Sequence, residues 1–125
     1  MSKKCINTDK APAAIGPYSQ AVLHGQTLYV SGQLPLDPAT KEMADDVRAQ
    51  TRQSMKNIAA IVEAAGSSMD KVIRCGIFVT DLADFAAINE EYATFFSGDF
   101  PARATVQVAA LPLGAQVEID AIAMV

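Results

Sequence analysis

The chain has 125 residues, half of them hydrophobic, and its ten basic and fourteen acidic side chains give a formal charge of -4. That length accommodates one domain, expected to span residues 1–125, and the apolar fraction excludes a disordered chain. The acidic balance disfavours non-specific binding to phosphate backbones, and the arginines at 48, 52, 74 and 103 form no stripe.

A short first strand is predicted over Lys3 to Ile6, followed by a turn at Asn7-Thr8-Asp9-Lys10-Ala11-Pro12. Two extended segments, Tyr18 to Leu23 and Thr27 to Gln33, read as a hairpin around His24-Gly25-Gln26, where Gly25 can take a positive φ. Pro35, Pro38 and the residues to Glu42 form a loop. A long helix follows from about Asp45 to Ala65, with Val47, Thr51, Met55, Ile58, Ile61 or Val62, and Ala65 at helical spacing. Arg48, Gln50, Arg52, Gln53 and Lys56 fall mostly between them and read as solvated. Asp45 or Asp46 suits the N-cap and Gly66 the residue beyond the C-cap.

Val72 to Thr80 is a strand rich in β-branched residues, with Ile73, Cys75, Ile77 and Val79 on one face. Asp81 caps a second helix whose inward stripe is Phe85, Ile88, Tyr92 and Phe95, and which ends before Pro101. Two last strands, about Ala102 to Ala109 and Gln116 to Val125, flank a turn at Leu111-Pro112-Leu113-Gly114. The order β-β-β-α-β-α-β-β predicts an α+β domain, with both helices on one face of a mixed sheet. The last strand is apolar on both sides, with Ile122 and Met124 opposing Val117, Ile119, Ala121 and Ala123. With no second helix layer to cover the other face, another subunit is the simplest cover.

No glycine-rich phosphate loop and no His-Glu-x-x-His occur, and two cysteines with one histidine cannot build a usual zinc site. Neither a metal nor a cofactor is expected. His24 reads as a turn residue, Cys75 as an inert core thiol and Cys5 as a thiol near the surface. No apolar run approaches the roughly 20 residues of a membrane-spanning helix, and no apolar stretch follows the first lysines, so a cytoplasmic protein is expected.

Arg103 and Glu118 are embedded in apolar strand sequence, where buried charges must be paired, solvated in a cleft or bound to a ligand. Two readings stay open: a salt bridge between adjacent strands, or a site whose arginine fork takes a small carboxylate. The turn near residue 112 would set Glu118 across from Thr105 or Val106, so that the three border one cavity. Tyr18, Ser31, Gly32 and Asn89 are further polar or small residues placed oddly for a core.

The chain also resembles a known family. The resemblance is carried by Ala13-Ala14-Ile15-Gly16-Pro17-Tyr18-Ser19-Gln20-Ala21, Val30-Ser31-Gly32-Gln33, Ile61-Val62-Glu63-Ala64-Ala65-Gly66, Phe78-Val79-Thr80-Asp81-Leu82, Pro101-Ala102-Arg103 and Val117-Glu118-Ile119. In this ordered set it resembles the reactive-intermediate deaminases, the YjgF/YER057c/UK114 or RidA family. The resemblance implies a chorismate-mutase-like α+β fold, assembled as a homotrimer whose sheets form a central barrel, with sites in clefts between subunits. It implies hydrolysis of 2-aminoacrylate, 2-iminopropanoate and 2-iminobutanoate to 2-oxo acids and ammonia. Those imines come from pyridoxal-phosphate-dependent dehydratases, so the activity would protect pyridoxal-phosphate enzymes.

By the same resemblance, Arg103 grips the substrate carboxylate and Glu118 holds the hydrolytic water and exchanges protons with it. Tyr18 sits at the cleft rim, Ser31 and Asn89 lie near the pocket, and the backbone at Gly32 contacts substrate. Many relatives carry cysteine where this chain has Thr105, and the 97–101 stretch looks shorter than usual, which implies an altered cleft entrance. The alternative is a regulatory trimer that binds a small carboxylate such as a 2-oxo acid without turnover. An action on nucleic acid fits the acidic charge poorly.

Overall fold

A computed structural model describes residues 2–125. The strands are β1 (Lys4–Ile6), β2 (Ala21–His24), β3 (Thr27–Gln33), β4 (Val72–Val79), β5 (Ala102–Gln107) and β6 (Val117–Met124). The helices are α1 (Val47–Ala64), between β3 and β4, and α2 (Phe85–Ala93), between β4 and β5. The expected α+β order is therefore observed. The six strands form one sheet in the order β1-β2-β3-β6-β4-β5. All neighbours are antiparallel except β4 and β5, which run parallel because α2 supplies the crossover between them.

α1 forms where its caps and apolar stripe agree. Asp46 accepts hydrogen bonds from the Arg48 and Ala49 amides, while Gly66 leaves the helix at φ +84°. Met55, Ile58, Ile61 and Val62 are fully buried against the sheet, chiefly on β3 and β6. Gln50, expected on the solvated side, is buried. Its Nε2 donates to the Ala44 carbonyl at 2.7 Å and its Oε1 accepts from the Gln116 amide at 2.9 Å, so it ties the start of α1 to the entry of β6.

Three further expectations are corrected. β2 begins at Ala21 rather than Tyr18, because the Tyr18 amide turns back onto the Gly16 carbonyl. Asp81 caps a short 3-10 turn, Leu82–Asp84, that precedes α2, and Phe85 is 41% exposed instead of facing the core. Ile73 does not share the inner face with Cys75 and Ile77. A bulge lets Val72 pair with Ala123 and Arg74 with Ile122, which throws Ile73 outward and Val72 inward.

Both helices cover one face of the sheet, and the described chain leaves the other bare. That bare face carries Tyr29, Ile122, Phe78 and Val106, with Tyr29 51% and Val106 46% exposed. No helix among the described residues is long and apolar enough to cross a membrane.

Candidate active site

Glu118 stands on the bare face. It is opposite Phe78 on β4, while its neighbours Val117 and Ile119 point into the core under α1. On its other flank, β3 carries a bulge: Val30 pairs with Ala121 and Gln33 with Ile119, leaving Ser31 and Gly32 together opposite Asp120. Val30 and Gln33 both stay buried, so the extra residue presents Ser31 and Gly32 side by side to the Glu118 face. Gly32 lets the Glu118 side chain lie close to the strand, since a Cβ there would lie 3.0 Å from Glu118 Cδ and push that side chain aside. Ser31 is fixed by its hydroxyl, which donates to the Ser19 carbonyl at 2.6 Å, and by its amide, which donates to the Gln20 carbonyl.

These residues line a cleft of about 340 Å³ with Tyr18, Ile15 and Pro112. The loop that forms its wall is held by Gln20, buried, whose side chain accepts from the Thr8 amide and donates to the carbonyls of Thr8 and Pro12. Tyr18 stands at the rim, and its hydroxyl accepts from the Ile15 amide at 3.3 Å. Burial raises the pKa of Glu118 above the usual carboxylate value, and the negative charge of Asp120 raises it further. Asp120 lies flat on the same face, where its Oδ1 accepts from the Gly76 amide at 2.9 Å. A Cβ at residue 76 would lie 2.5 Å from that oxygen.

Arg103 sits elsewhere. β5 pairs with β4, not with β6, and sets Arg103 beside Cys75 on the helix-covered side. Its Nη1 donates to Asn89 Oδ1 of α2 at 2.8 Å. With Tyr92, Ala93, Phe100 and Pro101 these two residues line a second cleft of about 350 Å³. Cys75 is buried beneath it, and burial raises its thiol pKa, in keeping with an inert core thiol. Cys5 is exposed and accepts from the Ser19 hydroxyl at 3.4 Å.

Of the two readings left open for Arg103 and Glu118, the salt bridge is absent among the described residues, and the single cavity bordered by both is absent too. Glu118 and Val106 do lie level, but with Phe78 of β4 between them. Arg103 and Glu118 consequently project from opposite faces of the sheet. Thr105 follows Arg103 on the same side of β5, lines neither cleft, and has a buried hydroxyl with no hydrogen-bond partner among the described residues. Sequence reasoning missed Gln20, Asp120 and the aromatic surroundings of Arg103. An Asp two residues beyond Glu118 in a strand was the one legible signal, since that spacing places both on one face.

The fold and its two clefts define a small α+β protein that sets a guanidinium and a carboxylate in separate clefts on opposite faces of one sheet. A family model described as Endoribonuclease L-PSP matches residues 8–125. The chain belongs to this family, the YjgF/RidA family. It is 56% identical over 127 residues to Protein DfrA of Myxococcus xanthus, covering 99% of this chain and 97% of that protein. It is 50% identical over 124 residues to the 2-iminobutanoate/2-iminopropanoate deaminase of Salmonella typhimurium, covering 97% of each. Among solved structures, E. coli TdcF with bound serine superposes with a TM-score of 0.96 at 48% identity, covering 98% of both chains.

Proposed function

We propose that the protein hydrolyses 2-imino acids, 2-iminobutanoate and 2-iminopropanoate, to the 2-oxo acids and ammonia. The observation that carries this reading is the pair of clefts, one holding a cation and the other a carboxylate with a raised pKa. Relatives about 50% identical over nearly their whole length are named for the same reaction. Arg103 forks onto the substrate carboxylate with Asn89 beside it, while Thr105, its hydroxyl buried and outside both clefts, sits behind Arg103 on the same strand. Glu118 takes a proton from water as the oxygen bonds to C2 and the C=N electron pair moves to nitrogen. The same proton then passes to nitrogen, the C–N bond breaks as the hydroxyl oxygen's electron pair closes C=O, ammonia leaves, and the hydroxyl proton passes through Glu118 to solvent. A protonated imine is already electrophilic, so one carboxylate whose pKa is raised by burial suffices as the proton carrier. Tyr18 and Ser31 border the acidic half, and Gly32 leaves room for substrate against the backbone.

Arg103 and Glu118 face away from each other through one sheet, so the reading requires a second copy of the chain. In this reading the bare faces pack together in a homotrimer around a sheet-lined centre. The Glu118 cleft of one copy then meets the Arg103 cleft of the next. Exposed Tyr29, Met124 and Val106 on the sheet support such packing. In this reading the substrates are those a pyridoxal-phosphate-dependent dehydratase releases, and the protein works beside such enzymes in the cytoplasm.

The test adds the protein to a serine or threonine dehydratase reaction that contains semicarbazide to trap free imine. Faster release of the 2-oxo acid, lost in Arg103→Ala, is the expected result. No acceleration with either amino acid would leave a carboxylate-binding protein without turnover, a reading that the serine-bound relative also fits.

A further inference from the structure

We propose that Phe85 and Tyr92 are positioning residues for Arg103: their ring faces, together with Asn89, hold the guanidinium in one orientation before a carboxylate arrives. This deepens the reading of Arg103 given above and rests on it. The guanidinium carbon lies 5.6 Å from the Phe85 ring centroid and 5.1 Å from that of Tyr92. Both distances fall within the range of about 6 Å over which a cation is drawn to an aromatic face. Asn89 Oδ1 takes one N–H at 2.8 Å. The three groups are four and three residues apart on α2, so they form one stripe along the helix that faces β5.

What makes this arrangement fit for binding is that all three groups are neutral. No carboxylate lies within ion-pair distance of Arg103 among the described residues. A bridging Asp or Glu would orient the side chain as well, but it would occupy the fork and cancel the charge. Ring faces and one amide oxygen fix the plane and leave the remaining N–H groups and the full charge for an incoming anion. A long side chain on an edge strand otherwise loses its rotamer freedom at the moment of binding, at the expense of affinity.

Tyr92 acts through its ring. Its hydroxyl is buried with no hydrogen-bond partner among the described residues, and burial, with the Cys75 thiol beside it, keeps it protonated well above the usual phenol range. Phe85, half-exposed at the first residue of α2, is the better position to perturb because little of the core rests on it.

The test measures binding of 2-oxobutanoate to the full chain by calorimetry, alongside steady-state imine hydrolysis. Phe85→Leu is expected to weaken binding about two- to thirtyfold, the range one cation–π contact supplies. The loss should appear in KM more than in kcat, and Phe85→Tyr, which keeps a ring face, should recover it. At residue 92, Tyr92→Leu should weaken binding more than Tyr92→Phe does. Parent-like binding by Phe85→Leu overturns the proposal, as does an equal loss in Phe85→Tyr or in Tyr92→Phe. Unchanged binding in Arg103→Ala would instead remove the underlying reading of Arg103, a result separable from the others.

Discussion

Glu118 and Arg103 sit in strands that flank the same neighbour, β4, yet their surroundings follow opposite rules. Glu118 is half-buried, has no cation at ion-pair distance among the described residues, lies beside a second carboxylate, and is destabilised as an anion. Arg103 is exposed on an edge strand, held by an amide oxygen and two ring faces, and keeps its charge. On the proposed mechanism, the contrast matches what each half of the site has to do. A group that moves protons benefits from a pKa brought toward the working pH, whereas a group that binds an anion benefits from a fixed orientation and an uncancelled charge.

Replacing the carboxylate breaks this comparison most severely. Glu118→Gln should lower kcat about 10²- to 10⁴-fold, the usual worth of a positioned general base, and leave 2-oxobutanoate binding largely intact. It should also raise thermal stability at neutral pH. A carboxyl whose pKa is raised on folding binds its proton more tightly folded than unfolded, so ionisation costs stability once pH exceeds the unfolded value. The advantage of Gln over Glu should therefore grow as pH rises through the window between the two pKa values and vanish below it. Loss of binding along with turnover would make Glu118 structural.

A gentler perturbation keeps the carboxylate and moves it. In Gly32→Ala the new Cβ would press on Glu118 Cδ, the far end of a flexible side chain. The fold should yield with a change below about 1 kcal/mol, while kcat/KM falls on the order of ten- to a hundredfold because the base is displaced. Equal activity in Gly32→Ala would mean that the close approach serves packing alone.

Mixing inactive chains asks whether the two halves work across copies. Arg103→Ala and Glu118→Gln chains, each inactive, are unfolded together in equal amounts and refolded. If each site takes Arg103 from one copy and Glu118 from the next, about a quarter of the sites contain both parental residues, and about a quarter of parental activity returns. A site built within one chain would recover nothing.

The separation of the halves was not legible in the sequence, and the reason is topological. The turn at Leu111–Gly114 invites a hairpin between the last two strands, and on that pairing Arg103 and Glu118 look like neighbours. The parallel partnership of β5 with β4 depends on α2 crossing over the sheet, a long-range choice that no local signal encodes. The Ser31–Gly32 bulge was hidden for a related reason, since it exists only in the register with β6. By contrast, α1 announced itself through Asp46, Gly66 and its stripe, all of them local. Gln50 misled because a polar residue at helical spacing reads as solvated until its partners, Ala44 and Gln116, are brought to it by the fold.

Asp120 sharpens the comparison with the smallest change. It shares the bare face with Glu118, and its charge adds to burial in holding the Glu118 proton. Asp120→Asn keeps an oxygen for the Gly76 amide and removes the charge, so the strand contact survives while one of the two causes of the raised pKa is lost. Burial is the larger cause, so the pKa of Glu118 should fall only part of the way toward its ordinary value. The activity that depends on ionised Glu118 should then persist to lower pH, moving the acid limb of the kcat/KM profile downward with little change at the plateau. At the same time a less basic carboxylate is a weaker proton acceptor, so any change in plateau rate should be a decrease. An acid limb that does not move, with the fold intact, would show that the proton is held by burial alone and that Asp120 serves only to brace β6 against β4.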